Sequence, residues 1–241
     1  MRMYSASGRS RWPIVIGAAV VVVAVGGGIV YATNRGDKQP TATITTSAPA
    51  AAPTSIPTGG TSGSGDNEDD VAPTGCLGGQ DRDAAMVLAA QKAAKHSTYG
   101  AVEVATSFYR WLWQYPTPNA SDSDTVSKNI MASTSPVAYR DLAGAYLKAG
   151  DNLAAGEVPA GTSFHVSTTN GIWRVTEQST SNQVHVTFAV GYVIDGALSP
   201  TKTTVSGFVM DWENGAWRIE KSIVPDQTVL ANGGTRYTGG C

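Results

Sequence analysis

Val209-Met210-Asp211-Trp212-Glu213-Asn214-Gly215-Ala216-Trp217-Arg218-Ile219 is the stretch that decides the fold of this 241-residue chain. Asn214-Gly215 is the kind of pair that accepts the positive φ angles of a two-residue hairpin turn, so the stretch reads as strand, tight turn, strand. Upstream, Val184, Val186, Phe188, Val190, Tyr192 and Ile194 fall on one face of an extended segment, with His185, Thr187, Ala189 and Gly191 on the other. Asn170-Gly171 and Asp195-Gly196 are two more pairs that can close an antiparallel hairpin. From Gly161 onward the chain is therefore predicted to be an antiparallel meander.

Before Gly161 the apolar period is helical. Asp81 or Asp83 caps a predicted helix over residues 84–95. A second is predicted over residues 101–115, where Val104, Phe108, Trp111 and Tyr115 form one stripe and Val102, Tyr109 and Trp113 another nearly opposite. A helix apolar on both sides is wrapped by the rest of its fold. Pro116 and Pro118 stop it. A third short helix holds Val126, Ile130 and Met131. A fourth starts at Ser135-Pro136, buries Leu142, Tyr146 and Ala149, and stops at Gly150. Helices followed by a meander predict an α+β domain, with the aromatic helix laid on a concave sheet.

The N-terminal third has a different character. Residues 13–32 read PIVIGAAVVVVAVGGGIVYA without a charge, close to the roughly 20 apolar residues that cross a bilayer core. Arg2, Arg9 and Arg11 precede the run, and a smaller basic excess follows it, which predicts a cytoplasmic N-terminus and an exported C-terminal part. A cleaved secretory signal is the rival reading; signal cores usually span about 7–15 residues. Residues 36–75 are dominated by Thr, Ser, Ala, Pro and Gly, with an acidic run at Asp66, Glu68, Asp69 and Asp70, and offer almost nothing to bury. The expected organisation is a cytoplasmic tail at 1–12, a transmembrane helix at 13–33, a flexible linker at 34–75 and an extracytoplasmic α+β domain at 76–241.

Cys76 and Cys241 bracket that last unit and are expected to form a structural disulfide across its two ends. In the entropic account, closing so long a loop stabilises by roughly 4–5 kcal/mol. Two free thiols, or a lipid-bearing Cys76, are the competing readings. An exported domain sits where a disulfide persists. The net charge of −2, with Lys and Arg scattered, predicts no nucleic-acid partner.

Candidate chemistry is sparse. His165, His185 and Asp211 fall on predicted strands and would share a site only if their register brought them together. A metal needs three or four ligands, whereas His96 ends a distant helix and the cysteines are committed to each other. Asp195 reads as a turn residue beside Gly196. Trp111, Trp113 and Tyr115 could form a ligand cage, but core packing explains them more simply. No catalytic residue, cofactor or metal is expected, and no small-molecule substrate.

Helices followed by a curved sheet ending in a D-W-x-x-G-x-W-R-I hairpin resemble the nuclear-transport-factor-2-like, or cystatin-like, roll over residues 81–224. A short tail, one span, a tether and an exported roll are similar to the single-pass assembly proteins of type IV secretion and conjugation systems, the VirB-type component and its TcpC-like relatives. CLGGQDRD from Cys76 and GAVEVATSFYRWLWQYP from Gly100 resemble membrane proteins of actinobacterial conjugative elements. The resemblance implies a non-enzymatic, membrane-anchored scaffold that works by protein–protein contacts with other secretion-channel proteins, as a homo-oligomer within the complex. The TcpC-like relatives often carry two such rolls, whereas this chain has room for one. An envelope lipid-transport accessory protein and a small-ligand-binding or sensory exodomain are the alternatives.

Overall fold

A computed structural model of the chain describes residues 71–241. The expected cytoplasmic tail and transmembrane helix, and the expected linker up to residue 70, lie outside the described residues. Among the described residues no helix is long and apolar enough to cross a membrane.

The expected α+β class is borne out. Helices α1 (Ala84–Ala93), α2 (Thr98–Leu112), α3 (Ala120–Ile130) and α4 (Leu142–Ala149) precede the long strands β2 (Phe164–Val175), β3 (Gln183–Ile194), β4 (Ala197–Glu213) and β5 (Ala216–Ser222). A two-residue strand β1 (Gln114–Tyr115) follows α2, and the chain ends with α5 (Gln227–Gly233) and β6 (Thr235–Arg236). The strands form one curved antiparallel half-barrel in the order β1-β2-β3-β4-β5, with β6 added to β2.

Local chemistry sets the element ends. Asp83, rather than Asp81, caps α1 by accepting from Met86 N at 2.8 Å. α2 starts earlier than the apolar pattern indicates, because Ser97 Oγ accepts from Gly100 N at 3.1 Å. It also ends earlier: Gln114 and Tyr115 pair with His165 and Phe164 as β1. The predicted fourth helix is divided. A 3-10 turn occupies Val137–Arg140, and α4 then starts afresh at Asp141, whose Oδ1 accepts from Gly144 N at 2.9 Å. Ser135, expected as the cap, instead donates to Ile219 O at 2.5 Å.

Two of the three predicted turns close hairpins: Asp195-Gly196 joins β3 to β4 and Asn214-Gly215 joins β4 to β5, with positive φ at all four residues. Asn170-Gly171 does not. It lies inside β2, where residues 168–171 stand opposite Val190 alone, a bulge that frees backbone groups from the ladder. The C-terminus takes them up. Thr168 N donates to Cys241 O and Cys241 N to Thr168 Oγ1, both at 3.0 Å, and Tyr237 N donates to Gly171 O at 3.2 Å.

The outer edge of β2 is thus covered from Phe164 to Trp173 by β1, the C-terminal residues and β6. The opposite edge, β5, receives the segment after α3. Met131 bridges Ile219, Ala132 N donates to Ile219 O at 2.8 Å, and Ser222 N donates to Tyr139 Oη at 3.1 Å. These contacts interrupt the row of open backbone groups on which another strand could add.

The core lies between α2 and the concave face. Every α2 residue from Gly100 to Leu112 is buried. Val184, Val186, Phe188, Val190 and Tyr192 meet it, as the alternation predicts, joined by Phe208, Met210, Trp217 and Ile219 from the next two strands.

Candidate functional site

The fold-deciding hairpin also builds a surface cleft. The helix α3 ends beside β5, and Arg218 Nη1 donates to Asn129 O at 2.6 Å and Met131 O at 3.4 Å. These carbonyls lie at the C-terminus of a helix, where backbone acceptors lack intrahelical partners and a cation is favoured. Glu213, at the end of β4, accepts from Ser133 N at 2.8 Å. That backbone hydrogen bond, with Arg218 and Arg140 nearby, holds the Glu213 carboxyl below its usual range. Between these parts opens a cleft of about 420 Å³, with Asp124, Ser127, Lys128, Arg140, Glu213 and Arg218 in its wall. Three cations face two carboxylates. Ser127 Oγ and Arg218 Nε are buried there without a hydrogen-bond partner among the described residues. Such a cleft can bind a polar group of mixed charge, and no histidine or cysteine lines it.

The candidate residues read from sequence are dispersed by the fold. His165 pairs with Val193, and His185 sits eight residues back along β3, about 27 Å of strand. The two histidines do not share a site. His185 does join Asp211, through Gln183: His185 Nε2 lies 3.4 Å from Gln183 Oε1, and Gln183 Nε2 donates to Asp211 Oδ1 at 3.0 Å and to Glu220 Oε2 at 3.2 Å. Burial first, then Lys221, lowers the His185 pKa. Burial, Arg82 and Arg110 push His165 down to about 4. His96 stacks on Trp212 at 4.2 Å, with its Nε2 2.9 Å from Ser181 O. Asp195 occupies the hairpin turn with φ 48°, as expected.

The aromatic trio is packed rather than open. Trp111 and Trp113 are buried, and Trp113 Nε1 donates to Tyr192 Oη at 2.9 Å. Tyr115 sits partly buried against the core from β1. Among the described residues no three of His, Cys, Asp and Glu gather into a metal-binding group.

Cys76 and Cys241 are joined, with Cα atoms 5.6 Å apart across 165 residues of sequence. The folded unit begins ahead of Cys76. Thr74 N and Oγ1 donate to Glu103 Oε1 at 2.5 and 2.9 Å, and Gly75 N at 3.2 Å. Leu77 N donates to Glu103 Oε2 at 3.4 Å. The sequence reading passed over Glu103 and Arg110, although two charges seven residues apart in the most apolar helix were the available signal.

Comparison of the chain with protein-family models, with curated proteins and with solved structures finds no match.

Proposed function

We propose that this chain is a non-enzymatic, membrane-anchored scaffold of a conjugative, type IV secretion-like DNA-transfer apparatus. Its α+β domain would be a nuclear-transport-factor-2-like roll held on the extracytoplasmic side. The observation that carries the proposal is the joining of both ends of the domain at one point. Cys76 is bonded to Cys241, and both flanks of that bond rest on Thr168: Cys241 by its hydrogen bonds, and Gly75 by a packing contact so close that an added Cβ would stand 2.7 Å from the Thr168 side chain. A domain closed in this way hangs from a single hitch directly after the apolar run and the Ser/Thr/Pro-rich stretch. A disulfide also suits an exported location.

The filled concave face supports contact work over ligand storage. Phe108, Tyr109 and Trp113, packed on Phe208, Phe188 and Phe164 of the sheet, occupy the space that a lipid or sensory ligand would need. The charged cleft beside the Asn214-Gly215 turn is the feature best suited to a partner chain.

Deleting the gene from its element and measuring transfer frequency tests the proposal. Transfer is expected to collapse and to return with the wild-type gene but not with a Lys128→Glu/Arg140→Glu variant. Undiminished transfer after deletion would overturn the scaffold role.

A further inference from the structure

Arg110 is fully buried, yet among the described residues its Nε and Nη2 have no hydrogen-bond partner. Arg82 Nε is orphaned in the same way. The remaining donors are partly used: Arg110 Nη1 reaches Gly75 O at 3.3 Å and Gly79 O at 3.1 Å, and Arg82 Nη1 reaches Gln80 O at 3.3 Å. His165 belongs to the same neighbourhood. It pairs with Gln114 in the β1–β2 ladder, and Gln114 Nε2 donates to Arg82 O at 2.8 Å.

The Arg82 charge bears on Arg110, and both guanidiniums bear on His165. Burial and then Arg82 lower the Arg110 pKa to about 10, against the pull of Glu103. Glu103 is the carboxylate at hand, and both its oxygens already accept from the Thr74, Gly75 and Leu77 amides. A buried guanidinium without a paired anion and with two open N–H groups is costly, and proteins answer it with a counter-charge.

We propose that Arg82, Arg110 and His165 form a binding site for a free inorganic oxyanion of the phosphate or sulfate class, beside the exposed Gly79 and Gln80, whose carbonyls the two guanidiniums already reach. The orphaned N–H groups would supply its hydrogen bonds and the two guanidiniums its charge. The site is independent of the scaffold role and stands or falls separately.

The test uses the full-length chain at pH 7, with sodium phosphate or sulfate titrated at an ionic strength held constant by sodium chloride. We expect a saturable rise in Tm, weakened at least tenfold in apparent affinity by Arg82→Gln and less by Arg82→Lys. A rise that never saturates, or is the same in Arg82→Gln, would be general salt exclusion from the protein surface and would overturn the site. A second readout needs no variant. NMR titration of the His165 imidazole should show its apparent pKa climbing when phosphate is present, because the anion offsets the two guanidiniums. A His165 titration indifferent to phosphate would also overturn the proposal.

Discussion

Glu103 and Arg110 hold one loop by its two opposite kinds of backbone group. They lie seven residues apart on α2, two turns along one face. The Glu103 carboxylate takes the N–H groups of Thr74, Gly75 and Leu77, while Arg110 Nη1 donates to the carbonyls of Gly75 and Gly79. Cys76 sits in the middle of that loop, so the central helix presents the cysteine to its partner.

Removing the acceptor should therefore loosen the N-terminal end of the domain. Glu103→Ala strands three backbone donors, and each unsatisfied buried group costs about 1–3 kcal/mol. We expect urea denaturation to show a loss of about 3 kcal/mol and limited proteolysis to cut earlier near Cys76. Glu103→Gln keeps an oxygen acceptor and should lose less. Equal stability of all three proteins would contradict the role assigned to this side chain.

The disulfide restrains the unfolded chain over 165 residues of sequence separation. In the entropic account Cys76→Ser/Cys241→Ser lowers stability by roughly 4–5 kcal/mol, with native strain and residual structure reducing that figure. Dithiothreitol should lower the Tm of the wild type and leave the double variant unchanged. Thiol labelling of the unreduced, unfolded wild type should find no free cysteine.

Core and surface positions should separate cleanly in a mutational comparison. Trp111 is 0% exposed and packs against Phe108 and Tyr146, whereas Leu147 is 85% exposed. Trp111→Ala is expected to cost about 3–5 kcal/mol. Leu147→Ala should stay within about 0.5 kcal/mol of the wild type. A large effect at Leu147 would mean that it is covered, and the oligomeric state should then be measured by ultracentrifugation.

Acid should destabilise the domain through His165. Its folded pKa is lowered to about 4 by burial, Arg82 and Arg110, below the ordinary value of 6.5. Between pH 6.5 and pH 4 the unfolded chain therefore binds the proton that the folded one refuses. Stability is complete above that window and falls as the pH drops through it. The Tm of the wild type should decline over this range, and His165→Asn should flatten the decline in part, with His185 contributing in the same direction. An identical pH profile in His165→Asn would remove His165 from the account.

Much of the domain was legible because its signals are local. Positive-φ pairs at Asp195-Gly196 and Asn214-Gly215 each turn the chain within two residues, and the inward set from Val184 to Tyr192 follows from strand period. Asn170-Gly171 carries the same local signal and yet forms a bulge, because the C-terminal residues compete for that backbone. Ser135 likewise has the chemistry of a helix cap but bonds to Ile219 across 84 residues. Of the candidate sites, His165 and His185 were visible as residue types only. Their separation along the sheet depends on a register that spacing does not reveal.

By itself the sequence determined the α+β order, the inward face of the central strand, two hairpins and an uncharged apolar run at residues 13–32, since each depends on neighbours in the chain. Tertiary structure alone decided the cleft beside Arg218, the covering of both sheet edges and the gathering of Arg82, Arg110 and His165. Those features join residues tens of positions apart, and their energies come from burial and unmet hydrogen bonds that exist only once the sheet has closed around α2.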